Sequence, residues 1–241
     1  MSTLVLIHGS WHDGDTWQEV ADALRGNGHE VHTPTVAGDG KGVDKNVTHA
    51  EQVQSIVDYL EADDLSDVIL LGHSFGGTIV ARVAEESADR LRRLIFWNAF
   101  VPQAGNCLLD EVPPHYRELF SQLAQASDDN TVTLPFPIWR EAFIQDADVA
   151  LATSTYDLLS SEPFPPFTEK LDLSRFYALE TPRSFINATE DTALPPGEWG
   201  WHPRMSGRLG LHRPVQLPGS HEVMFSNPTL LATKIEEAGR D

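Results

Sequence analysis

The sequence predicts an α/β fold: a mostly parallel sheet flanked by helices, with an inserted, mainly helical cap. Short apolar segments alternate with amphipathic segments of helical length, as in βαβ units with right-handed crossovers. The 241 residues are 41% hydrophobic and 22% charged, which is a globular composition. Proline–aromatic clusters interrupt the alternation over about residues 103–180. We therefore predict a single domain over residues 1–241, with the cap at about 103–180.

The first predicted elements lie near the N-terminus. Residues 4–7 form a short apolar run rich in β-branched residues, which is typical of a strand buried on both faces. A helix over about residues 17–25 and a short strand around Val31 follow. Thr48 and Glu51 have the spacing of a capping box, in which each side chain accepts from the other residue's backbone amide. A second helix is therefore predicted directly after Thr48.

The remaining predicted elements continue the alternation of strands and helices. Asn227 is a favoured cap residue and Pro228 suits the first turn of a helix, so a last helix is predicted from this point. The other elements are strands at about residues 68–71, 94–97, 184–186 and 214–217 and a helix at about residues 78–88.

Composition and charge exclude several classes of protein. The 17 basic and 36 acidic side chains give a formal net charge of −19. This charge repels phosphate backbones and anionic lipid, so we expect no nucleic-acid and no membrane partner. The single cysteine, Cys107, excludes an intramolecular disulfide and a cysteine-based zinc site. Since the chain enters a strand without a basic leader, we expect a cytoplasmic protein, monomeric or homodimeric, that acts on a small molecule.

The sharpest motif is Gly-His-Ser-Phe-Gly-Gly at residues 72–77, directly between a predicted strand and a predicted helix. This is the G-x-S-x-G pattern of a nucleophile elbow, in which glycines permit a tight turn that exposes the serine hydroxyl above the sheet. The helix that follows directs its amide groups at the same place. We therefore predict Ser74 as a catalytic nucleophile.

A serine hydroxyl needs a general base, and the base needs an acid that orients it. His221 follows the last predicted strand in a Pro-Gly-Ser turn and is predicted as the base. The acid is expected between the serine and the histidine in the chain. Asp191 is preferred there, with its neighbour Glu190 left open as the alternative. Asn98 occupies a second acid position but carries no charge, so it is excluded as the acid.

An oxyanion needs two preorganised amide donors. One is expected to be the backbone N–H of Phe75, the residue after the nucleophile. The other is expected from the loop after the first strand, where Gly9 frees the backbone to turn inward and Ser10 supplies the amide. His8 is expected to brace this loop.

The substrate pocket is expected to be apolar, because the predicted cap is rich in aromatic side chains. Substrate contacts are predicted for Trp11, His12, Trp139 and Phe143. The glycine-rich run of residues 38–42 lacks the spacing of a phosphate-binding loop, and no metal-ligand motif is present. We therefore expect no cofactor and no metal.

Together these motifs resemble the α/β-hydrolase superfamily, and in particular the branch of plant methyl-ester hydrolases and hydroxynitrile lyases with their bacterial relatives. The resemblance covers nearly the whole chain and fits the cap loosely. It implies an α/β-hydrolase fold that lacks the superfamily's first antiparallel hairpin, with the site roles given above. It rests on the motifs at residues 8–12, 72–77, 99–102, 191 and 219–222.

Two positions depart from the lyases of that branch. Their lysine after the catalytic histidine, which holds cyanide, is replaced by Glu222, whose negative charge is expected to repel cyanide, and a threonine is replaced by Gly9. We therefore predict a serine hydrolase of small, fairly apolar carboxylic esters. Three alternatives stay open: carbamate or amide hydrolysis by the same triad, a cofactor-free lyase or oxygenase, and a small-molecule receptor on the same fold.

Overall fold

A parallel sheet of six strands forms the centre of the molecule in the computed structural model, which describes residues 1–240. The strands in chain order are β1 (Thr3–Ile7), β2 (Glu30–His32), β3 (Val68–His73), β4 (Leu91–Trp97), β5 (Thr131–Val132), β6 (Glu162–Pro163), β7 (Arg183–Ala188) and β8 (Arg213–Leu217). The main sheet has the order β2-β1-β3-β4-β7-β8, whereas β5 and β6 form a separate antiparallel pair.

The direction of winding reverses between β1 and β3. β1 pairs with β2 on one side and with β3 on the other, and all of these pairs are parallel. In open α/β sheets such a switch point leaves a crevice beyond the carboxyl ends of the strands, where ligands bind. The loops after β1 and β3 meet there, and these loops carry the predicted Ser10 and Ser74.

Two layers of helices cover the sheet. The α-helices are α1 (Gln18–Gly26), α2 (His49–Ala62), α3 (Gly76–Glu86), α4 (Leu108–Glu111), α5 (Pro114–Ala126), α6 (Phe136–Ile138), α7 (Val149–Tyr156), α8 (Pro165–Thr168), α9 (Ser174–Ala178), α10 (Arg204–Gly207), α11 (Val223–Ser226) and α12 (Pro228–Gly239). Alternate residues of β1 face opposite layers, as the two-residue period of a strand requires. Leu4 and Leu6 pack with α1 and α12, whereas Val5 and Ile7 pack with α2 and α3.

Local sequence signals set several helix ends. The predicted capping box is present: Thr48 Oγ1 accepts from Glu51 N at 3.1 Å, and Glu51 Oε2 accepts from Thr48 N at 2.7 Å. Asn227 Oδ1 accepts from Leu230 N at 3.2 Å at the start of α12. The helix predicted from residue 17 instead begins with a 3₁₀ turn, Gly14–Trp17, which leads into α1.

The chain between β4 and β7 forms the cap. It contains α4 to α9, a π-helical segment at Trp139–Phe143 and the β5–β6 pair. The cap is therefore mainly helical, as predicted, but the strand pair was not predicted. Each of its strands has only two residues, and their partners are about thirty residues apart, so no local periodicity marks them. The apolar interior of the cap is continuous with the core on the α2 and α3 side of the sheet.

None of the helices within residues 1–240 combines the length and the hydropathy needed to cross a membrane.

Candidate active site

Ser74 lies in the turn between β3 and α3. Its φ of +52° is a left-handed conformation that a non-glycine residue adopts only under constraint, as at a nucleophile elbow. The turn is tight because glycines flank it: a Cβ on Gly72 would lie 2.6 Å from the carbonyl oxygen of Gly76, and a Cβ on Gly76 would lie 2.5 Å from that of His8. The helix can therefore begin directly above the strand, with the serine at its N-terminus.

His221 follows β8 and is paired with Asp191, which follows β7. The distance from His221 Nδ1 to Asp191 Oδ2 is 2.5 Å, and both side chains are buried. Trp201 stacks on the imidazole with ring centroids 5.2 Å apart, and Phe143 meets it edge-on at 5.3 Å. Glu190, the alternative acid, is exposed. The structure thus places Asp191 against the predicted base.

Asn98 holds the same carboxylate, a role that the sequence did not indicate. Its Nδ2 donates to Asp191 Oδ2, and its Oδ1 accepts from Ala188 N at 2.8 Å. Ala193 N donates to Asp191 Oδ1 at 2.8 Å. With His221 Nδ1 as the third donor, both carboxylate oxygens are fixed. Asn98, excluded as the acid itself, is thus a partner of the acid.

His221, the predicted base, has a raised pKa. Burial by itself lowers the pKa of His221, but the adjacent Asp191 carboxylate more than offsets this and raises the pKa above 6.5. A general base must be neutral to accept the serine proton. Since the imidazolium is stabilised in place, the base is lost to protonation at a higher pH than an ordinary histidine would be.

We expect kcat/KM for an ester without titratable groups to fall on the acid side with a midpoint above pH 6.5. An unperturbed histidine would give a midpoint at pH ~6.5. Initial rates from pH 5 to pH 9 check this, with a thermal melt at each pH to exclude unfolding. A midpoint well below 6.5, with the fold intact, would contradict the electrostatic coupling of His221 to Asp191.

Two backbone amides are available near Ser74 for an oxyanion. Phe75 N precedes the first turn of α3, and Ser10 lies in the loop after β1 and lines the same cavity as Ser74. In the described part of the chain neither amide donates to a protein acceptor. The next amide along, Trp11 N, donates to Glu162 Oε2 at 2.7 Å. Ser10 rather than Trp11 is therefore the free donor of this loop.

Ser74 and His221 line the same cavity, in which the space not filled by protein atoms is about 370 Å³, part of it open solvent. No hydrogen bond joins the two side chains among the described residues; such contacts commonly tighten only when substrate binds. Most of the lining is apolar, and none of the described lining residues is Lys, Arg, Asp or Glu. The lining comprises Ser10, Trp11, Ser74, Phe100, Leu108, Val112, Tyr116, Phe120, Phe143, Phe167, Ala193, Leu194, Trp201 and His221.

Of the four residues predicted to contact substrate, Trp11 and Phe143 line this cavity, whereas His12 and Trp139 are not among its lining residues. His12 is buried beside the loop it was expected to flank, with Nδ1 donating to Ser10 O at 2.8 Å. Trp139 is fully buried, and its Nε1 donates to Ala152 O at 3.0 Å within the cap. Both side chains are thus buried and hydrogen-bonded within the protein interior.

The sequence reading missed the contribution of α5 to the cavity. Tyr116 and Phe120 lie four residues apart, both are buried, and both line the cavity. Their spacing marks the apolar face of a helix. The periodicity was visible in the sequence, but only the placement of the cap shows that this face covers Ser74.

Three potential metal ligands, His73, His221 and Glu222, lie within 4.8 Å of one another and are buried. His73 is already engaged: its Nε2 donates to His221 O at 3.1 Å, and its ring stacks on Trp97 at 4.0 Å. His221 Nδ1 is paired with Asp191. His73 and Glu222 thus pack beside His221, and the three residues form part of the site already described.

The parallel sheet, the serine elbow and the His221–Asp191 pair at the carboxyl ends of the strands define the class of α/β hydrolases. The chain belongs to the alpha/beta hydrolase family, whose sequence profile matches residues 4–234. It is 32% identical to a carbendazim hydrolyzing esterase of Nocardioides sp. (strain SG-4G), over 99% of this chain and 100% of the relative. It is 26% identical to salicylic acid-binding protein 2 of Nicotiana tabacum, over 97% of this chain and 95% of that one.

Among solved structures, an extracellular alpha/beta-hydrolase from a Paenibacillus species superposes with a TM-score of 0.98 at 43% identity, covering all of both chains. Its description reports structural and functional homology to the tobacco salicylic acid-binding protein. These similarities confirm the branch of the superfamily that the motifs indicated.

Proposed function

We propose that this protein is a carboxylic-ester hydrolase that cleaves small, fairly apolar esters through an acyl-enzyme on Ser74. One observation carries the proposal: the elbow serine and a carboxylate-paired histidine open onto the same apolar cavity. The similarity to a named esterase over nearly the full length of both chains supports it.

In the first step, His221 Nε2 takes the proton of Ser74 Oγ as the oxygen attacks the ester carbonyl. The negative charge that develops on the carbonyl oxygen is held by the amides of Ser10 and Phe75, and such a donor is worth roughly 3–4 kcal/mol of the barrier. Asp191 keeps Nδ1 of the imidazole protonated and stabilises the imidazolium that forms.

In the second step, His221 donates its proton to the leaving alkoxide, and the acyl group stays on Ser74. Water then enters, His221 removes one of its protons, and the hydroxide attacks the acyl carbonyl. Collapse of the second tetrahedral intermediate returns the proton to Ser74 and releases the acid. The residues of this chain supply every proton transfer in the sequence.

The cavity restricts the substrate by size and by charge. The empty space between the lining residues is about 370 Å³, part of which is open solvent, so only a compact substrate fits without movement of the cap. The cavity lining offers no cation or carboxylate to compensate a buried ionic group, and burying an unpaired charge is costly. A neutral, compact, aryl or short-chain ester fits these limits.

Cyanohydrin cleavage is disfavoured by Glu222, although not for the reason that the sequence suggested. This carboxyl is buried, and burial raises its pKa to about 8, so at neutral pH it is mostly uncharged. His12 Nε2 lies 3.5 Å from Glu222 Oε2, and burial lowers the pKa of His12 to about 3. The position beside the base thus holds neutral groups, and neither offers the cation that would stabilise a cyanide leaving group.

A substrate series tests the proposal. It compares aryl acetates and methyl esters with carbamates, anilides and lactones of the same aryl group, and adds an ester with a carboxylate on its acyl chain. We expect the highest kcat/KM for the small neutral esters and a loss of about tenfold or more for the charged one. Faster cleavage of carbamates or anilides would change the substrate class, and failure to hydrolyse any acyl compound would overturn the proposal.

A further inference from the structure

Among the described residues, the hydrogen bonds that join the loop after β1, the oxyanion loop of residues 8–12, to the cap are all made by Trp11, the neighbour of Ser10. Trp11 N donates to Glu162 Oε2 at 2.7 Å, and Trp11 Nε1 donates to Val132 O at 2.8 Å. Trp11 O accepts from Ser160 N at 2.9 Å. All three partners belong to the cap: Val132 lies in β5, Glu162 in β6, and Ser160 just before β6. The β5–β6 pair and Ser160 therefore bind every polar atom of Trp11.

This attachment opposes a backbone strain. Trp11 has a φ of +66°, a left-handed conformation that costs a bulky residue roughly 1–3 kcal/mol and persists only where the surroundings impose it. The amide that Glu162 accepts from belongs to the Ser10–Trp11 peptide unit. Glu162 therefore fixes one of the two peptide planes that flank the Ser10 Cα, and the other plane carries the Ser10 amide.

The carboxyl of Glu162 lies in a buried cluster with Asp39 and Lys45, two residues of the loop between β2 and α2. Burial raises the pKa of Glu162 to about 7, and burial together with Glu162 raises the pKa of Asp39 well above its usual value. The positive charge of Lys45 opposes both shifts, and Lys45 Nζ donates to Gly40 O at 2.7 Å. Burying two acids and a lysine is costly. The contact of this cluster with the oxyanion loop is the hydrogen bond from the Trp11 amide to Glu162.

We propose that Glu162 is a positioning residue for ester hydrolysis: through the Trp11 amide it holds the loop whose Ser10 amide stabilises the oxyanion. The inference rests on the proposed function. On this inference the cap has two roles: its side chains line the pocket, and Glu162 positions the oxyanion loop. The hydrogen bond from Trp11 N to Glu162 Oε2 joins residues 151 positions apart in the chain.

Two uncharged substitutions of similar length test whether the oxygen that accepts from the Trp11 amide is what matters at Glu162, because they differ in that oxygen and have similar size. Glu162→Gln retains an oxygen for the Trp11 amide, whereas Glu162→Met fills the same space without one. We expect kcat within about threefold of the unaltered protein for Glu162→Gln and a loss of about 10- to 100-fold for Glu162→Met, with KM changed less than about threefold in both. Glu162→Asp, which keeps the charge but shortens the side chain, should behave like Glu162→Met.

Ser127→Ala is the matched control. Ser127 Oγ bonds to Asp129 and Thr131 at the entrance to β5 and makes no bond to Trp11. We expect its kcat to change less than about twofold, even if the cap loses stability. Thermal melts of all variants establish that they are folded. If Glu162→Met does not fold, the comparison of Glu162→Asp with Glu162→Gln decides.

Binding of an arylboronic acid gives a second readout, because its tetrahedral adduct with a serine places an oxygen in the oxyanion site. The affinity should fall in Glu162→Met by about the same factor as kcat/KM and stay unchanged in Ser127→Ala. Equal kcat and equal boronate affinity in Glu162→Met and Glu162→Gln would overturn the inference and leave the esterase proposal standing. If the unaltered protein neither hydrolyses esters nor binds the boronate, the proposed function fails and the inference fails with it.

Discussion

Replacement of Ser74 by alanine is expected to lower kcat for an activated aryl acetate by about 10⁵- to 10⁶-fold, the scale seen when a triad serine is removed. Without the Ser74 oxygen no acyl-enzyme can form, and His221 loses the group that it activates. The cavity keeps its apolar lining, so substrate binding should persist with little change in KM. Steady-state kinetics measure the loss. Mass spectrometry after treatment with a fluorophosphonate should show one adduct on Ser74 in the unaltered protein and none in the variant.

Ser10→Ala is the matched control for this prediction, because Ser10 is the other serine that lines the cavity. Its role resides in the backbone amide, which the substitution leaves in place. We expect kcat within about threefold of the unaltered protein. If Ser10→Ala abolished turnover while Ser74→Ala retained more than about one per cent of it, the nucleophile would be misplaced and the mechanism wrong.

The central strands of the sheet could be predicted because they are buried on both faces and separated by amphipathic helices. β3 is buried at every residue from Val68 to His73, so its apolar run was unambiguous. The elbow was equally clear, since the serine motif lies between that strand and α3. In both cases the signal is contained within a dozen residues, and local sequence is sufficient.

The acid of the site could not be fixed from sequence. Asp191 and Glu190 are adjacent in the same loop, and both have the charge that the base needs. The turn decides between them: Glu190 N donates to Gly219 O at 3.1 Å while its side chain is exposed, and Asp191 is turned inward against His221. The conformation of this turn depends on a hydrogen bond to the loop after β8, which cannot be predicted from the local sequence.

The cap was the least predictable part for a related reason. Its cavity-lining residues, such as Tyr116 and Phe120, could be recognised as apolar, but which apolar face covers the site depends on packing between segments far apart in the chain. His12 was predicted to contact substrate because it lies beside the oxyanion loop, but the structure places it outside the cavity lining. Its actual hydrogen bond, from Nδ1 to Ser10 O, is equally consistent with the sequence.

Replacement of Asp191 by asparagine is expected to lower kcat by about 10³- to 10⁴-fold while the fold persists. Asp191 Oδ2 accepts from both His221 Nδ1 and Asn98 Nδ2, and Oδ1 accepts from Ala193 N. An asparagine has one acceptor oxygen for these donors, so in either orientation its amide group meets an N–H. If the amide group faces His221, the imidazole is driven to the tautomer protonated at Nε2, which cannot take the serine proton.

The pH profile separates this explanation from simple misfolding. The Asp191 carboxylate raises the pKa of His221. The residual activity of Asp191→Asn should therefore fall on the acid side with a midpoint at lower pH than that of the unaltered protein. Glu190→Gln, which removes the adjacent exposed charge, should keep kcat within about threefold. Near-normal activity in Asp191→Asn, or a loss in Glu190→Gln of the size expected for Asp191→Asn, would transfer the orienting role to Glu190 and contradict the hydrogen bonding of the site.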